Sequence, residues 1–553
     1  MLEVLSGTMI PFLISLIICL AKMKSNISIK TDKHFPFLGN GINFDEEIFG
    51  LRFDAKLIQK TSELIWKPNS TLPFSSLKKL PSPYNILSDI ALEMTVKNGS
   101  KKGLIGKNSL FNEVKNLDES LMENFILEVK NHIKNPTLQS SELIANIRCW
   151  SSWLANGIKI EPIFNGSKKA CSFIPWPLSG LLLLSSRITG QQPEFEYAAD
   201  YVLRSGILPK DELDDYSDMN KNIDYIRSIK PMVAFHDFDG NEQGFRMTHL
   251  AMERTSQMMI ENALCAVENE DIKENLEKVE IATMQSNQLF NTMWKVSEPL
   301  LYNKEVRIFI QGLFGNQGSI YPNNGLFFEK CGDNFNDEFK VNGFFISDLH
   351  GQTGANSSYH PIADEITGIG DHTHAYIVDK LVDNSIIKGV LEKGFVSDDD
   401  LPDNANVSSL TKLLKSFRVG YRPPAHHSMI VRTRNILQNS DYFSRIESNN
   451  TYRKTIASAV RWIIQHRIDH YKMVVSYILR APDPYKNQTK AKGTGGTPTP
   501  TFLPKMFTHS IDRLQGLVKD ESLPWADKLI KITSNQESAM KQFQKIALAS
   551  QAD

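Results

Sequence analysis

The sequence predicts an all-α protein of two helical domains, a smaller N-terminal one and a larger C-terminal one. Three observations lead there. Apolar residues recur at three- and four-residue steps through most of the chain, which is the period of a half-buried helix. Runs with the two-residue alternation of strands are sparse. The length, 553 residues, exceeds what one hydrophobic core usually organises.

Composition narrows the class. Lys+Arg is 62 and Asp+Glu 63, so the net charge of -1 offers no global attraction to nucleic acid or an acidic membrane. The five cysteines are odd in number, widely spaced and without a C-x-x-C pair. They suggest neither a disulfide framework nor a cysteine zinc site, and a reducing, cytoplasmic setting fits them.

The elements follow in order. Met9 to Ala21 is a thirteen-residue apolar run followed by Lys22 and Lys24. It is short for a span of ~20 residues. It also lacks the basic N-terminal flank of a signal peptide. It is compatible with an N-terminal membrane anchor and equally with a buried helix. We therefore set residues 1–33 apart as an apolar segment and linker. Residues 34–235 form the expected small domain, with helices over Asp118–Ile133 and Ser141–Leu154. An apolar helix then runs to a Gly-Gln-Gln-Pro break, with another helix beyond it. Asp-rich text from Lys210 to Lys221 reads as a surface loop. Residues 236–553 form the expected large domain. A turn at Asp237–Gln243 opens a long helix from Phe245 to Ala266, and helices continue to Leu313. Polar loops follow at 315–325, 334–342 and 396–409. Thr451 to Leu479 is a long helix, and residues 485–504 read as a mobile loop.

Several residues stand out chemically. On the 451–479 helix, Ile463, Arg467, His470, Val474 and Ile478 share one face. A buried guanidinium needs a carboxylate partner. A histidine in that stripe is either a hydrogen-bonded core residue or a ligand to something buried. His466 and His470 have zinc-like spacing but no third ligand nearby. His249 lies on the apolar stripe of Phe245, Met252, Ser256 and Ile260. Arg307 has Val306, Ile308 and Phe309 as neighbours. It either points to solvent or binds a carboxylate or phosphate inside. His372 and His374, and His426 and His427, read as metal pairs or as plain loop and helix-start residues. "GQTGANSS" from Gly351 to Ser358 either lets the backbone approach a flat ligand or is a plain loop. "KAKGTGGTPTPTFLPK", Lys490 to Lys505, is glycine-rich but matches neither a P-loop nor a dinucleotide fingerprint.

Taken in order, "GFRMTHLAME", "VRIFIQGLFGN", "NNGLFFE", "GQTGANSSYHPIADEITGI", "YRPPAHHS", "HRIDHYKMVVSYIL" and "AKGTGGTPTPTFLPK" resemble the indoleamine 2,3-dioxygenase family of haem enzymes. The likeness covers roughly Ile174 to Leu514. It implies haem b as cofactor, with His470 as the iron ligand and Arg467 paired to Asp364 behind it. It implies Arg307 as the clamp on the substrate carboxylate, Tyr302 and Phe245 as an aromatic wall, and Thr494 in a loop that closes over substrate. Thr353 and Gly354 match small residues on the distal haem side. His249 stands where the family commonly has serine. A distal histidine is similar to that of the related tryptophan 2,3-dioxygenases, where it contacts the indole N–H. The implied reaction is dioxygen addition across the indole C2–C3 bond of L-tryptophan or a related indole, giving N-formylkynurenine. This is the first step of the kynurenine pathway. The expected partners are that indole and dioxygen, acting on a monomer. The alternative is a haem-binding protein of the same fold without dioxygenase activity.

Overall fold

The computed structural model describes residues 42–211, 213–269, 272–313, 320–321, 325–330, 343–346, 349, 351–369, 421–482, 484–485, 494, 499–519 and 524–535. The side chains of 42–44, 47, 355 and 499–508 are not among these. The apolar run at 9–21, the acidic stretch at 396–409, His372 and His374 lie outside the described residues, as does most of the loop 485–504. None of the described helices is long and apolar enough to cross a membrane.

The all-α expectation holds. Helix α1 (Leu138–Phe164) starts at Thr137, whose hydroxyl accepts from the Ser140 amide in a reciprocal capping box. It is longer than the sequence reading because Ile158, Ile160 and Ile163 extend its buried surface. Helix α2 (Leu178–Thr189) packs against it and ends at Gly190.

The helix expected after the Gly-Gln-Gln-Pro break is a single π-turn, Tyr197–Tyr201. Asp200 explains the difference. Its carboxylate accepts from Arg148 at 2.5 Å, Ser152 at 3.1 Å and the Glu196 amide at 3.0 Å. This buried polar knot fixes the segment against α1 and overrides its local helical period.

The helix expected over Phe245–Ala266 is two: α3 (Asn241–Arg254) and α4 (Ser256–Glu268), separated at Thr255. Hydroxyl groups act at the break. Thr255 Oγ1 donates back to Met252 O at 2.9 Å, and Ser256 Oγ accepts from the Thr71 amide at 3.0 Å. Helix α5 (Lys273–Asn291) packs on α4. Short turns follow, Pro299–Tyr302 and the π-turn Asn303–Arg307 among them.

Phe173–Ile174 (β1), Leu326–Glu329 (β2) and Gly343–Ile346 (β3) form a small sheet that the sparse strand signals did not announce. β1 runs parallel and β3 antiparallel to β2.

Helix α6 (Tyr359–Thr367) leads to α7 (Pro424–Gln438) and α8 (Asn450–Met473). Asn449 caps α8 by accepting from the Thr451 amide at 2.9 Å. The helix continues as a π-turn, Val474–Leu479, so the expected element is present over its whole length. Helix α8 is packed by α5, by α6 and by α9 (Thr499–Val518).

Candidate active site

Helix α8 does not turn its histidine stripe into close-packed core. Ile456, Val460 and Ile464 are 0% exposed, whereas Ile463, Arg467, Val474 and Ile478 keep 7–8%. His470 in the same stripe is exposed. Yet the Phe290 ring is 6.2 Å away and the His466 ring 6.5 Å. An exposed ring with neighbours so near faces open space within the fold. Crowding by protein, and then nearby His249, lowers the His470 imidazole to about 4. At neutral pH it is uncharged and able to act as a ligand.

A chain of ring contacts joins the other predicted residues to it. Tyr302 meets Phe245 at 5.0 Å, and Phe245 meets His249 at 4.7 Å. His249 meets Phe290 at 6.2 Å, and Phe290 meets His470. Gly244 makes this chain possible. A Cβ there would lie 1.8 Å from Val296 O, so only glycine lets α3 come so close to the backbone before Tyr302. Phe245 and His249 are half-buried.

The His249 tautomer follows from one contact. Its Nδ1 lies 2.9 Å from the Phe245 carbonyl, an acceptor only, so Nδ1 carries the proton and donates. Nε2 keeps its lone pair. Burial lowers this imidazole to about 4, so the neutral form prevails.

Behind His470, Arg467 Nη2 donates to both oxygens of Asp364, at 2.6 and 2.7 Å, and Nη1 donates to Ser510 on α9. The pair ties α8 to α6. Arg307 is 1% exposed and buried next to Tyr302. Burial raises the Tyr302 phenol to about 12, against the opposing pull of the Arg307 charge.

The turn Gly354–Asn356 is held from two sides. Arg422 Nε donates to Asn356 O at 3.0 Å and Nη2 to Ser357 O at 2.9 Å. Ser357 Oγ donates to Glu253, one turn beyond His249 on α3. Thr353 and Gly354 are half-buried, and a Cβ at Gly354 would meet nothing within 4 Å. Thr494 is docked beside them. Its hydroxyl donates to Gln352 O at 2.5 Å, and its carbonyl accepts from the Gly312 amide at 3.3 Å. The hydroxyl proton is therefore committed to the protein.

Ring contacts thus join Tyr302, Phe245, His249 and His470, the Arg467–Asp364 pair lies one turn behind His470, and the 352–357 turn, with Thr494 on it, is tied to α3 through Ser357 and Glu253. Two further histidines join them. The His360 ring lies 4.8 Å from His466, and the His466 ring 4.2 Å from Phe290. His360 precedes Asp364 by one helical turn, and that spacing was the available signal for it. His426 belongs elsewhere: its Nδ1 is 3.0 Å from Ser358 Oγ and its ring packs on Trp66.

The donor set decides what could be held. No group of three or more metal-ligating side chains occurs among the described residues. A flat organic group that carries its own metal and needs one protein ligand does fit. It would find a neutral imidazole at His470, apolar walls, and open space over Gly354.

Residues 128–510 match the family model described as indoleamine 2,3-dioxygenase. None of the curated proteins matches the chain.

Proposed function

The chain belongs to the indoleamine 2,3-dioxygenase family, haem-dependent dioxygenases of tryptophan and related indoles, and from that premise we propose that it opens the indole ring of L-tryptophan, or of a closely related indole, to N-formylkynurenine. The observation that carries the reading is the open, uncharged imidazole of His470 inside the fold, backed by the Arg467–Asp364 pair. A haem b bound there would supply dioxygen activation.

The chain's own residues do the rest. Arg307 binds the substrate carboxylate bidentately. Phe245 and Tyr302 form an apolar wall for the indole, with Thr353 and Gly354 small enough to leave it room. His249 Nε2, already set in the right tautomer, accepts the indole N–H and orients the ring. Because the Thr494 proton goes to Gln352, its oxygen is left to accept from the substrate ammonium. Thr494, docked on Gln352 and Gly312, covers the backbone beside Thr353. Arg467 and Asp364 hold α8 so that His470 keeps its orientation. We assign residues 34–235 to a small domain and 236–553 to the large domain that carries these groups.

The test is the absorption spectrum of the purified protein with and without tryptophan, followed by analysis of the product. A haem band that shifts on tryptophan addition, with N-formylkynurenine formed, is the expected result. Haem without a tryptophan response or product would favour a haem-binding protein lacking dioxygenase activity. No haem would end both readings.

A further inference from the structure

Three Asn-Gly pairs lie wholly within the described residues: Asn98–Gly99, Asn156–Gly157 and Asn165–Gly166. A glycine after asparagine has no Cβ, so nothing shields its amide nitrogen and its backbone turns freely. That nitrogen can close a small ring onto the asparagine Cγ. Whether it does so depends on whether the fold has already engaged the two groups.

Two of the pairs are engaged. Asn156 and Gly157 lie inside α1, where backbone amides enter the helical ladder, and the Asn156 carboxamide donates to Phe309 O. Asn165 stands at the end of α1. Its Nδ2 donates to Ile105 O at 3.2 Å and to Glu161 O at 2.9 Å, and the Gly166 amide donates to Ile163 O at 3.1 Å.

Asn98–Gly99 differs. It forms the tip of a hairpin with strands Lys97–Asn98 and Lys101–Lys102, and Gly99 has a φ of +58°. Residues 97–102 are all exposed. Neither the Asn98 carboxamide nor the Gly99 amide has a hydrogen-bond partner among the described residues. The base of the hairpin is held, because the Val96 and Lys97 amides donate to Phe235 O at 2.7 Å and His236 O at 3.0 Å. A free tip therefore stands on a fixed base. Charge acts in the same direction. Lys97 faces Lys102 across the hairpin and Asn98 faces Lys101. Three neighbouring cations favour the nitrogen anion that attacks. Like charges placed opposite one another also disfavour the hairpin, so an anion at position 98 relieves it.

We infer that Asn98 is a self-modifying site, at which the folded chain converts asparagine to aspartate and isoaspartate without an enzyme. The Gly99 nitrogen bonds to Asn98 Cγ and the Cγ–Nδ2 bond breaks. The proton lost from Gly99 passes through solvent to the leaving nitrogen, which departs as ammonia. Water then opens the succinimide. Attack at Cγ breaks the new bond and leaves aspartate on a normal backbone. Attack at the backbone carbonyl breaks the original peptide bond and leaves isoaspartate, with the chain running through Cγ. No oxidant or reductant is involved. The aspartate product faces Lys101 as an opposite charge, whereas isoaspartate adds a methylene to the backbone and breaks the pairing of the two short strands. The inference does not rest on the proposed function.

The experiment incubates the purified full chain at mildly alkaline pH, folded and in urea, and follows each Asn-Gly peptide by mass mapping with isoaspartate detection. In the folded chain Asn98 should convert at least roughly tenfold faster than Asn165, whose reaction waits for local opening, while Asn156 stays an amide. In urea the three should convert at similar rates, because sequence alone then decides. Asn98→Gln keeps an amide on a longer side chain and should show no conversion at that position. Equal rates for Asn98 and Asn165 in the folded chain overturn the inference, and so does an Asn98 that reacts only in urea. Persistence of the signal in Asn98→Gln would place the reaction at another residue and end it as well.

Discussion

Arg467 reaches from α8 to α6 and sets one guanidinium nitrogen between the two oxygens of Asp364, at 2.6 and 2.7 Å. Asp364 is fully buried and the arginine side chain 8% exposed, so neither charge has water as an alternative partner. Asp364→Asn leaves the guanidinium without its anion. Removing one member of such a pair costs about 3–5 kcal/mol. Urea denaturation of Asp364→Asn should show a loss of that order. A double variant with apolar residues at both positions should recover much of it. A single variant as stable as wild type would mean that the remaining partners of Arg467, Ser510 among them, satisfy it.

His470 should be the residue on which haem loading depends. His470→Ala removes the open imidazole while leaving the helix and the Arg467–Asp364 tie in place. The purified variant should lack stoichiometric haem by absorbance, with its thermal transition retained. His466 lies one turn earlier, its ring stacked at 6.5 Å from His470. Full haem retention with an unchanged ferrous spectrum in His470→Ala would remove His470 from the role. Haem lost only in the His466 variant would transfer it to that residue.

Arg307→Ala should weaken tryptophan binding by about 2–5 kcal/mol, as for truncation of one partner in a buried charge pair. Haem content should stay at the wild-type level. Unaltered tryptophan affinity would show that Arg307 faces something other than the substrate.

How far the sequence carried this reading depends on what decided each feature. The α8 helix was legible because its apolar period is long and Asn449 caps it. Arg467's need of a partner was legible from its apolar surroundings, since burial of a lone charge is costly. The break at Thr255 was not legible: Ser256 bonds to Thr71, 185 residues earlier, and no local window contains that contact. Nor was the π-turn Asn303–Arg307, because α-helical periodicity gives no sign of an i→i+5 closure. The extra helix after Gly190 was a misreading of apolar residues that instead pack around the buried Asp200 knot. His360 was readable from its spacing to Asp364, but a histidine beside tyrosine and proline gave no hint of the open space it shares with His466.

His249 should set how tryptophan binding responds to pH and to methylation of the indole nitrogen. From the ordinary histidine range near roughly 6.5, tryptophan binding would weaken as pH falls through that value. Burial lowers this imidazole to about 4, which moves the window. A depressed pKa keeps the ring neutral, and so able to accept the indole N–H, at every pH above it. Binding should therefore stay level from pH 8 to about 5 and weaken only toward 4. His470 is lowered to about 4 too, so the acid limb alone does not identify which ring titrates. The ligand resolves that. 1-Methyltryptophan lacks the N–H donor and should lose affinity in the native protein. In His249→Ser it should lose much less, because the acceptor it would miss is gone. The four affinities form a double-mutant cycle with one partner on the ligand, so the coupling itself is measured. The Nδ1–H bond to Phe245 O makes the expectation sharp: it leaves Nε2 with nothing to do but accept. Equal losses for the methylated ligand in both proteins would mean that the indole N–H points away from His249.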